Sequence, residues 1–180
     1  LGQSLNYASC IHGTGHGLYG FENSNLAKAL LGCDIISEPY RQYCYDGVFM
    51  ENSFGTENKV FDSKNPWKFC VDLDLRYHRS CGRYQNQMFF GEPNRGNPFS
   101  LAGKNCALGP STLLRETCYE SLGYYAAEMS LGKAADIWKT CRTMLNVEGA
   151  DFCVLGAAKE NIFQQYPDSG KSSGELCGKL

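Results

Sequence analysis

Gly132-Lys-Ala-Ala-Asp-Ile-Trp-Lys-Thr-Cys141 is followed, after a short connection, by Cys153-Val-Leu-Gly-Ala-Ala-Lys-Glu-Asn-Ile-Phe-Gln164. Both segments place apolar residues three and four apart and are built from good helix formers. They predict one helix ending near Cys141 and a second starting near Cys153. On a single unbroken helix, two cysteines eleven or twelve residues apart would stand roughly 16–18 Å from one another. A disulfide needs Cα atoms within roughly 7 Å. If these two cysteines are bonded, the chain must reverse between them, and the unit is a helical hairpin.

The same unit recurs along the chain. One cysteine series is Cys33, Cys70, Cys106, Cys141 and Cys177, with steps of 37, 36, 35 and 36. The other is Cys10, Cys44, Cys81, Cys118 and Cys153, with steps of 34, 37, 37 and 35. The gaps between the series are 11, 11, 12 and 12 residues. Two interleaved periods near 36 residues are the signature of a repeat architecture. Further helical runs fit it: Asn25-Leu-Ala-Lys-Ala-Leu-Leu-Gly-Cys33 before a first-series cysteine, and Cys118-Tyr-Glu-Ser-Leu-Gly-Tyr-Tyr-Ala-Ala-Glu-Met129 after a second-series one. Pro39, Gly109-Pro110, and Asn146 with Gly149 supply reversals in three connections. The connection from Val71 to Ser80 has neither Gly nor Pro, so its reversal follows from the repeat alone.

The expected fold is therefore all-α, a single domain over residues 1–180 made of tandem disulfide-bridged hairpins. The expected bonds are Cys33–Cys44, Cys70–Cys81, Cys106–Cys118 and Cys141–Cys153. Each closes a loop of about a dozen residues, worth on the order of 3 kcal/mol in the chain-entropy view. Cys10 opens a second-type helix with no first-type helix before it, and Cys177 closes a first-type helix with no second-type helix after it. Either the chain is cut from a longer solenoid, or the ends meet in a closed α/α ring with a fifth disulfide, Cys10–Cys177. The ring leaves no free thiol and is the preferred expectation.

Composition bounds the function. A net charge of −2 over 180 residues, with no basic run, excludes the usual nucleic-acid footprint. No apolar stretch approaches the roughly 20 residues of a membrane span. The opening Leu-Gly-Gln-Ser-Leu-Asn is not a signal peptide, so a mature form or an excised piece is expected. Ten cysteines without a Cys-x2-Cys pair argue against a structural zinc cluster and for a disulfide framework in an oxidising compartment, extracellular or periplasmic. A Cys-x2-Cys-His haem attachment motif is absent; haem held non-covalently by a histidine stays open.

In this rhythm, and locally in Leu122-Gly-Tyr-Tyr-Ala-Ala through Lys133-Ala-Ala-Asp-Ile-Trp-Lys-Thr-Cys141, the chain resembles the cysteine-stapled relatives of tetratricopeptide repeat proteins. The resemblance implies secreted helical hairpins, each with a disulfide joining its two helices, and a surface that binds or assembles with a protein partner. Cys10-Ile-His-Gly-Thr-Gly-His-Gly17 has no counterpart in that family.

That stretch holds two of the three histidines. His12 and His16 lie four apart, on one helix face, and can share a metal ion through imidazole nitrogen. Aligning the second-series cysteines puts His12, Asp46, Arg83, Glu120 and Leu155 two positions on, and His16, Met50, Gln87, Tyr124 and Lys159 six positions on. These positions predict a shared polar face, open to ligand, while positions three, four and seven pack. Zinc or copper suits the imidazoles, with Asp46, Glu51 or Glu120 from neighbouring units as a further ligand. His78 is expected near the rim. Gly13, Gly15 and Gly17 imply that a ligand or another backbone comes close. The competing expectation is tight helix packing with solvated or hydrogen-bonded histidines.

Asp46 and Glu51 are the acids after Cys44. As an acid/base pair they would make the chain a metal-dependent enzyme. Asp46 alternatively reads as an acid at a helix start. Glu51 falls on the packing face, where a carboxylate needs a partner. Trp67 and Trp138, each three before a cysteine, predict a repeated core position. Phe89-Phe-Gly-Glu-Pro-Asn-Arg-Gly-Asn-Pro-Phe99 reads as a connection or a contact loop. Three functions stand at this point: an interaction or assembly domain with a histidine-centred metal or cofactor site, a metal-dependent enzyme, and a plain binding scaffold.

Overall fold

The computed structural model describes residues 2–54, 64–90, 97–143 and 146–180. Among them every regular element is helical: α1 (Gly2–Phe21), α2 (Leu26–Cys33), α3 (Arg41–Phe54), α4 (Lys68–Val71), α5 (His78–Phe90), α6 (Pro98–Ala107), α7 (Thr112–Ser130), α8 (Ala134–Cys141), α9 (Val147–Gln164) and α10 (Ser169–Cys177), with a 3-10 turn over Leu75–Tyr77. Long helices alternate with short ones.

Local chemistry sets the helix starts. Asn25, Asn97, Ser111 and Asn146 each hold an extended backbone and accept a main-chain N–H of the first turn through the side chain. Pro98 takes the first position of α6, where no N–H is needed. Ser111 and Asn146 place the starts of α7 and α9 six residues before Cys118 and Cys153. The second-series cysteines are thus interior to their helices and not at their starts. Gly149, expected in a turn, lies in the first turn of α9 and donates to Asn146. The connection lacking Gly and Pro reverses through the 3-10 turn, capped by the Asp74 carboxylate on Arg76 N–H at 3.1 Å. α7 ends on Leu131 and Gly132, both at positive φ, with Gly132 N–H bonded back to Ala127.

Four disulfides join the expected pairs. Their Cα–Cα distances are 5.7 Å for Cys33–Cys44, 5.8 Å for Cys70–Cys81, and 5.6 Å for both Cys106–Cys118 and Cys141–Cys153. Each bonds a short helix (α2, α4, α6, α8) to the long helix that follows it. All eight sulfurs lie in the buried core with Leu30, Val48, Phe49, Leu114, Leu122, Ile137 and Val154. The expected fifth bond is not formed: Cys10 and Cys177 are free and exposed. The reason lies in the packing order. α1 packs on α3, α3 on α5, α5 on α7, α7 on α9, and α9 on α10, with no substantial contact between α1 and α10 among the described residues.

Glycine sets how closely the long helices approach. A Cβ at Gly15 of α1 would overlap the Cys44 carbonyl of α3, and one at Gly47 of α3 would overlap the His12 carbonyl of α1. Gly123 of α7 and Gly156 of α9 stand in the same reciprocal relation. Backbone therefore meets backbone at both crossings. Gly13 and Gly17 have nothing within 4 Å of an added Cβ. Of the three glycines in the histidine stretch, only Gly15 serves packing.

Trp67 is buried, and its indole N–H donates to the Asn105 carbonyl at 2.8 Å. Trp138 is only partly buried, flanked by the cations of Arg142 and Lys179. The shared core position holds for the first and not for the second. Most of the contact loop expected between Phe89 and Phe99, residues 91–96, lies outside the described residues.

Candidate functional site

The backbone contact at Gly15 and Gly47 brings α1 flat against α3, and that sets the histidines. Nδ1 of His16 is 2.7 Å from Oε2 of Glu51, and Nε2 of His16 is 3.1 Å from Nε2 of His12. The rings meet edge to face with centroids 4.9 Å apart. Burial, and then the neighbouring His16, lower the pKa of His12 below the ordinary histidine value, which favours the neutral imidazole. Both rings stand at the surface edge, neither fully buried nor fully exposed.

Glu51 is not a buried acid. Its side chain is 46% exposed, and its partner is His16. The expected packing position turns out to be the edge where α3 faces α1.

The predicted polar face exists and runs across the long helices. Arg83 of α5 donates to Asp46 of α3 at 2.8 Å. The Arg83 guanidinium also lies over the Tyr124 ring of α7, 4.7 Å from its centroid. Glu120 of α7 pairs with Lys159 of α9 at 3.1 Å. With His16–Glu51 joining α1 to α3, each successive pair of long helices is bridged across this face. Between α3, α5 and α7 it opens into a cavity of about 300 Å³, walled by Tyr43, Asp46, Arg83, Glu120 and Tyr124 with Arg79 at the rim.

Asp46 belongs to this bridge. It is 4% exposed and accepts from Ser80 at 2.6 Å, from Arg83, and from Gln42 at 3.4 Å. Its carboxylate is therefore buried and engaged by three donors, and it is more than a helix-start acid. Burial opposes the charge of Arg83, but Asp46 together with Tyr84, Tyr124 and Glu160 holds the guanidinium above its ordinary pKa.

Glu120 does not join the histidines; its carboxylate is committed to Lys159. His78 does not reach the rim. It is 6% exposed, and its Nε2 donates to the Leu73 carbonyl at 3.1 Å. Among the described residues no group of three or more His, Cys, Asp or Glu side chains is placed to hold one metal ion. The protein offers two imidazole nitrogens, with a carboxylate behind one of them.

Ser80, Gln42 and Tyr43 are the participants that the sequence did not single out. Ser80 stands one position before a second-series cysteine, as Ser9 and Thr117 do, and that recurring hydroxyl is the signal that could have found it. Arg83 was visible as the member two positions past Cys81, although its pairing with Asp46 was not.

Compared with family models, with curated proteins and with solved structures, the chain matches none.

Proposed function

We propose that this chain is an extracytoplasmic helical-hairpin interaction domain, an open solenoid in kind, whose shared polar face holds one zinc or copper ion at His12 and His16. The 3.1 Å separation of the two Nε2 atoms carries this reading. In it both rings keep their proton on Nδ1, which for His16 faces Glu51. The two Nε2 lone pairs then face each other, an arrangement that a cation relieves. With metal–nitrogen bonds of about 2.0–2.1 Å, donors that far apart subtend about 100°, close to the tetrahedral angle. Glu51 supplies the outer carboxylate that commonly fixes a metal-binding histidine in tautomer and orientation. The lowered pKa of His12 favours the neutral imidazole that a metal requires.

Two protein ligands leave the remaining positions open, as suits a partner or ligand that completes the coordination. The enzyme alternative is less favoured, because Asp46 is buried and paired with Arg83 and Ser80, and Glu51 is engaged by His16. The four disulfides support an oxidising compartment, and no helix among the described residues is long and apolar enough to cross a membrane.

The test is calorimetric titration of the metal-free protein with zinc and with copper(II), beside His12→Ala and His16→Ala, with circular dichroism to confirm the fold. One ion per native chain, lost in both variants, is the expected result. A native protein that takes up neither ion overturns the metal reading and leaves a binding scaffold.

A further inference from the structure

We infer that the cavity between α3, α5 and α7 is a carboxylate-binding site, which takes the acidic side chain of a glutamate or aspartate presented by a protein partner. This deepens the interaction-domain reading proposed above, rests on it for the protein partner, and makes no use of a metal at His12 and His16.

The acids of the cavity wall are engaged, and its strongest donors are not. Asp46 is buried and accepts from Ser80, Gln42 and Arg83, while Glu120 pairs with Lys159. The Gln42 amide nitrogen is used on Ser80 and Asp46, and the Thr117 hydroxyl donates to the Leu113 carbonyl at 2.7 Å. Arg83 reaches Asp46 through Nη1, and its other N–H groups meet no acceptor among the described residues. Arg79 makes no hydrogen bond or ion pair among the described residues.

Arg79 and Arg83 stand four apart on α5, so both line the cavity from one face of that helix. Like charges in this arrangement repel, and an anion between them removes the repulsion. The Arg83 guanidinium carbon lies 4.7 Å from the Tyr124 ring centroid and 5.7 Å from that of Tyr84. The two rings, with the bond to Asp46, restrict how the group can turn. A planar guanidinium so restrained suits a carboxylate, whose oxygens accept its fork of N–H donors.

Charge and size select the anion. On the wall Asp46 offsets Arg83, and Lys159 offsets Glu120, which leaves the positive charge of Arg79. Glu160, a further acid felt by Arg83, does not line the cavity and accepts from Gln164. One positive charge matches a carboxylate, whereas a phosphate dianion would set a second negative charge against Asp46. An acidic sugar needs free acceptors for its hydroxyl groups, and both carboxylates of this wall are engaged. A volume of about 300 Å³ is at the small end of ligand sites and suits one side chain. The cavity meets solvent at Arg79 and Tyr43, both exposed, so a side chain can enter from a partner's surface.

The test is a nuclear magnetic resonance titration of the metal-free, isotope-labelled chain. The probes are N-acetylglutamate N-methylamide (glutamate as a protein presents it), its glutamine counterpart, free glutamate, glucuronate and inorganic phosphate. The expected result is a saturable shift of the Gln42, Arg79 and Thr117 amide signals with the blocked glutamate, and weaker binding of every other probe. Arg79→Gln is expected to lower the affinity for blocked glutamate by about tenfold or more, the worth of a hydrogen bond between charged groups. Arg79 is exposed and has no bond to lose, so the variant keeps its fold, which a thermal melt checks. Absence of a saturable shift overturns the proposal, as does an affinity that Arg79→Gln leaves unchanged. Equal or tighter binding of the glutamine counterpart, free glutamate, glucuronate or phosphate overturns it as well. Zinc and copper uptake is read on separate samples, so either reading can fail while the other stands.

Discussion

Glu51 lies 2.7 Å from Nδ1 of His16, on the side of the ring away from His12. A carboxylate there cannot share an ion with the two Nε2 atoms; it acts by fixing the proton on Nδ1. Glu51→Gln keeps a hydrogen-bond partner but removes the charge that favours this tautomer. The expected effect is a loss of zinc or copper affinity of about 10–100-fold, the usual range for an outer-shell change. Stoichiometry stays at one ion. Calorimetry of native and variant protein checks it, and an unchanged affinity would show that Glu51 plays no part in the site.

The lowered pKa of His12 makes a prediction for the metal-free protein. A histidine whose folded pKa lies below its unfolded value of about 6.5 binds a proton more readily once unfolded. Its contribution to stability is complete above about pH 6.5 and falls as the pH drops from there toward the folded pKa. His12→Ala removes this dependence. Denaturant midpoints of native and variant protein are expected to run parallel above neutrality and to converge or cross as the pH falls below about 6.5. Curves that stay parallel through the acid range would contradict the lowered value.

Asp46 and Arg83 test whether the polar face is built as a continuous bridge. Asp46→Ala leaves the Arg83 guanidinium and the buried Ser80 hydroxyl without their acceptor. Since Arg83 is partly exposed, the cost is placed below that of breaking a fully buried pair, at about 1–3 kcal/mol. Asp46→Ala with Arg83→Met removes both charges together and is expected to recover much of the loss seen in Asp46→Ala. Urea denaturation of the two single variants and the double variant gives the coupling directly. A double variant as unstable as the two losses added would show that the residues do not act as a pair.

Much of this arrangement was legible in the sequence, and the limits are physical. The two cysteine periods carried all four bonds and the reversals between the bonded helices, because two cysteines a dozen residues apart on one unbroken helix cannot meet. The register two and six positions past each cysteine carried the polar face, since residues four apart share a helix face. What could not be read is how adjacent helices turn against one another. That rotation decides that Glu51 reaches His16, that Asp46 is consumed by Arg83 and Ser80, and that Glu120 goes to Lys159. The helix starts were misplaced because Ser111 and Asn146, which cap α7 and α9, lie six or more residues before the cysteines used as markers. The Cys10–Cys177 bond was expected by counting thiols, and counting takes no account of where the first and last helices lie.

Gly15 and Gly17 separate packing from propensity within one short motif. Both are helical residues of α1, but a Cβ at Gly15 overlaps the Cys44 carbonyl, whereas one at Gly17 meets nothing within 4 Å. Alanine at Gly17 is expected to stabilise by about 0.5–1 kcal/mol, the helix-propensity gain over glycine. At Gly15 the same gain is overwhelmed. The obstructing atom is main chain and cannot rotate away, so α1 must move off α3, at a net cost of about 1–3 kcal/mol, the range for overpacking. The movement also separates His16 from Glu51, so Gly15→Ala is expected to weaken zinc or copper binding although it alters neither ligand. Thermal melts rank the two variants, and calorimetry reads the coupling. Equal stability in both would mean that the α1–α3 crossing is looser than the backbone contact at Gly15 and Gly47 requires.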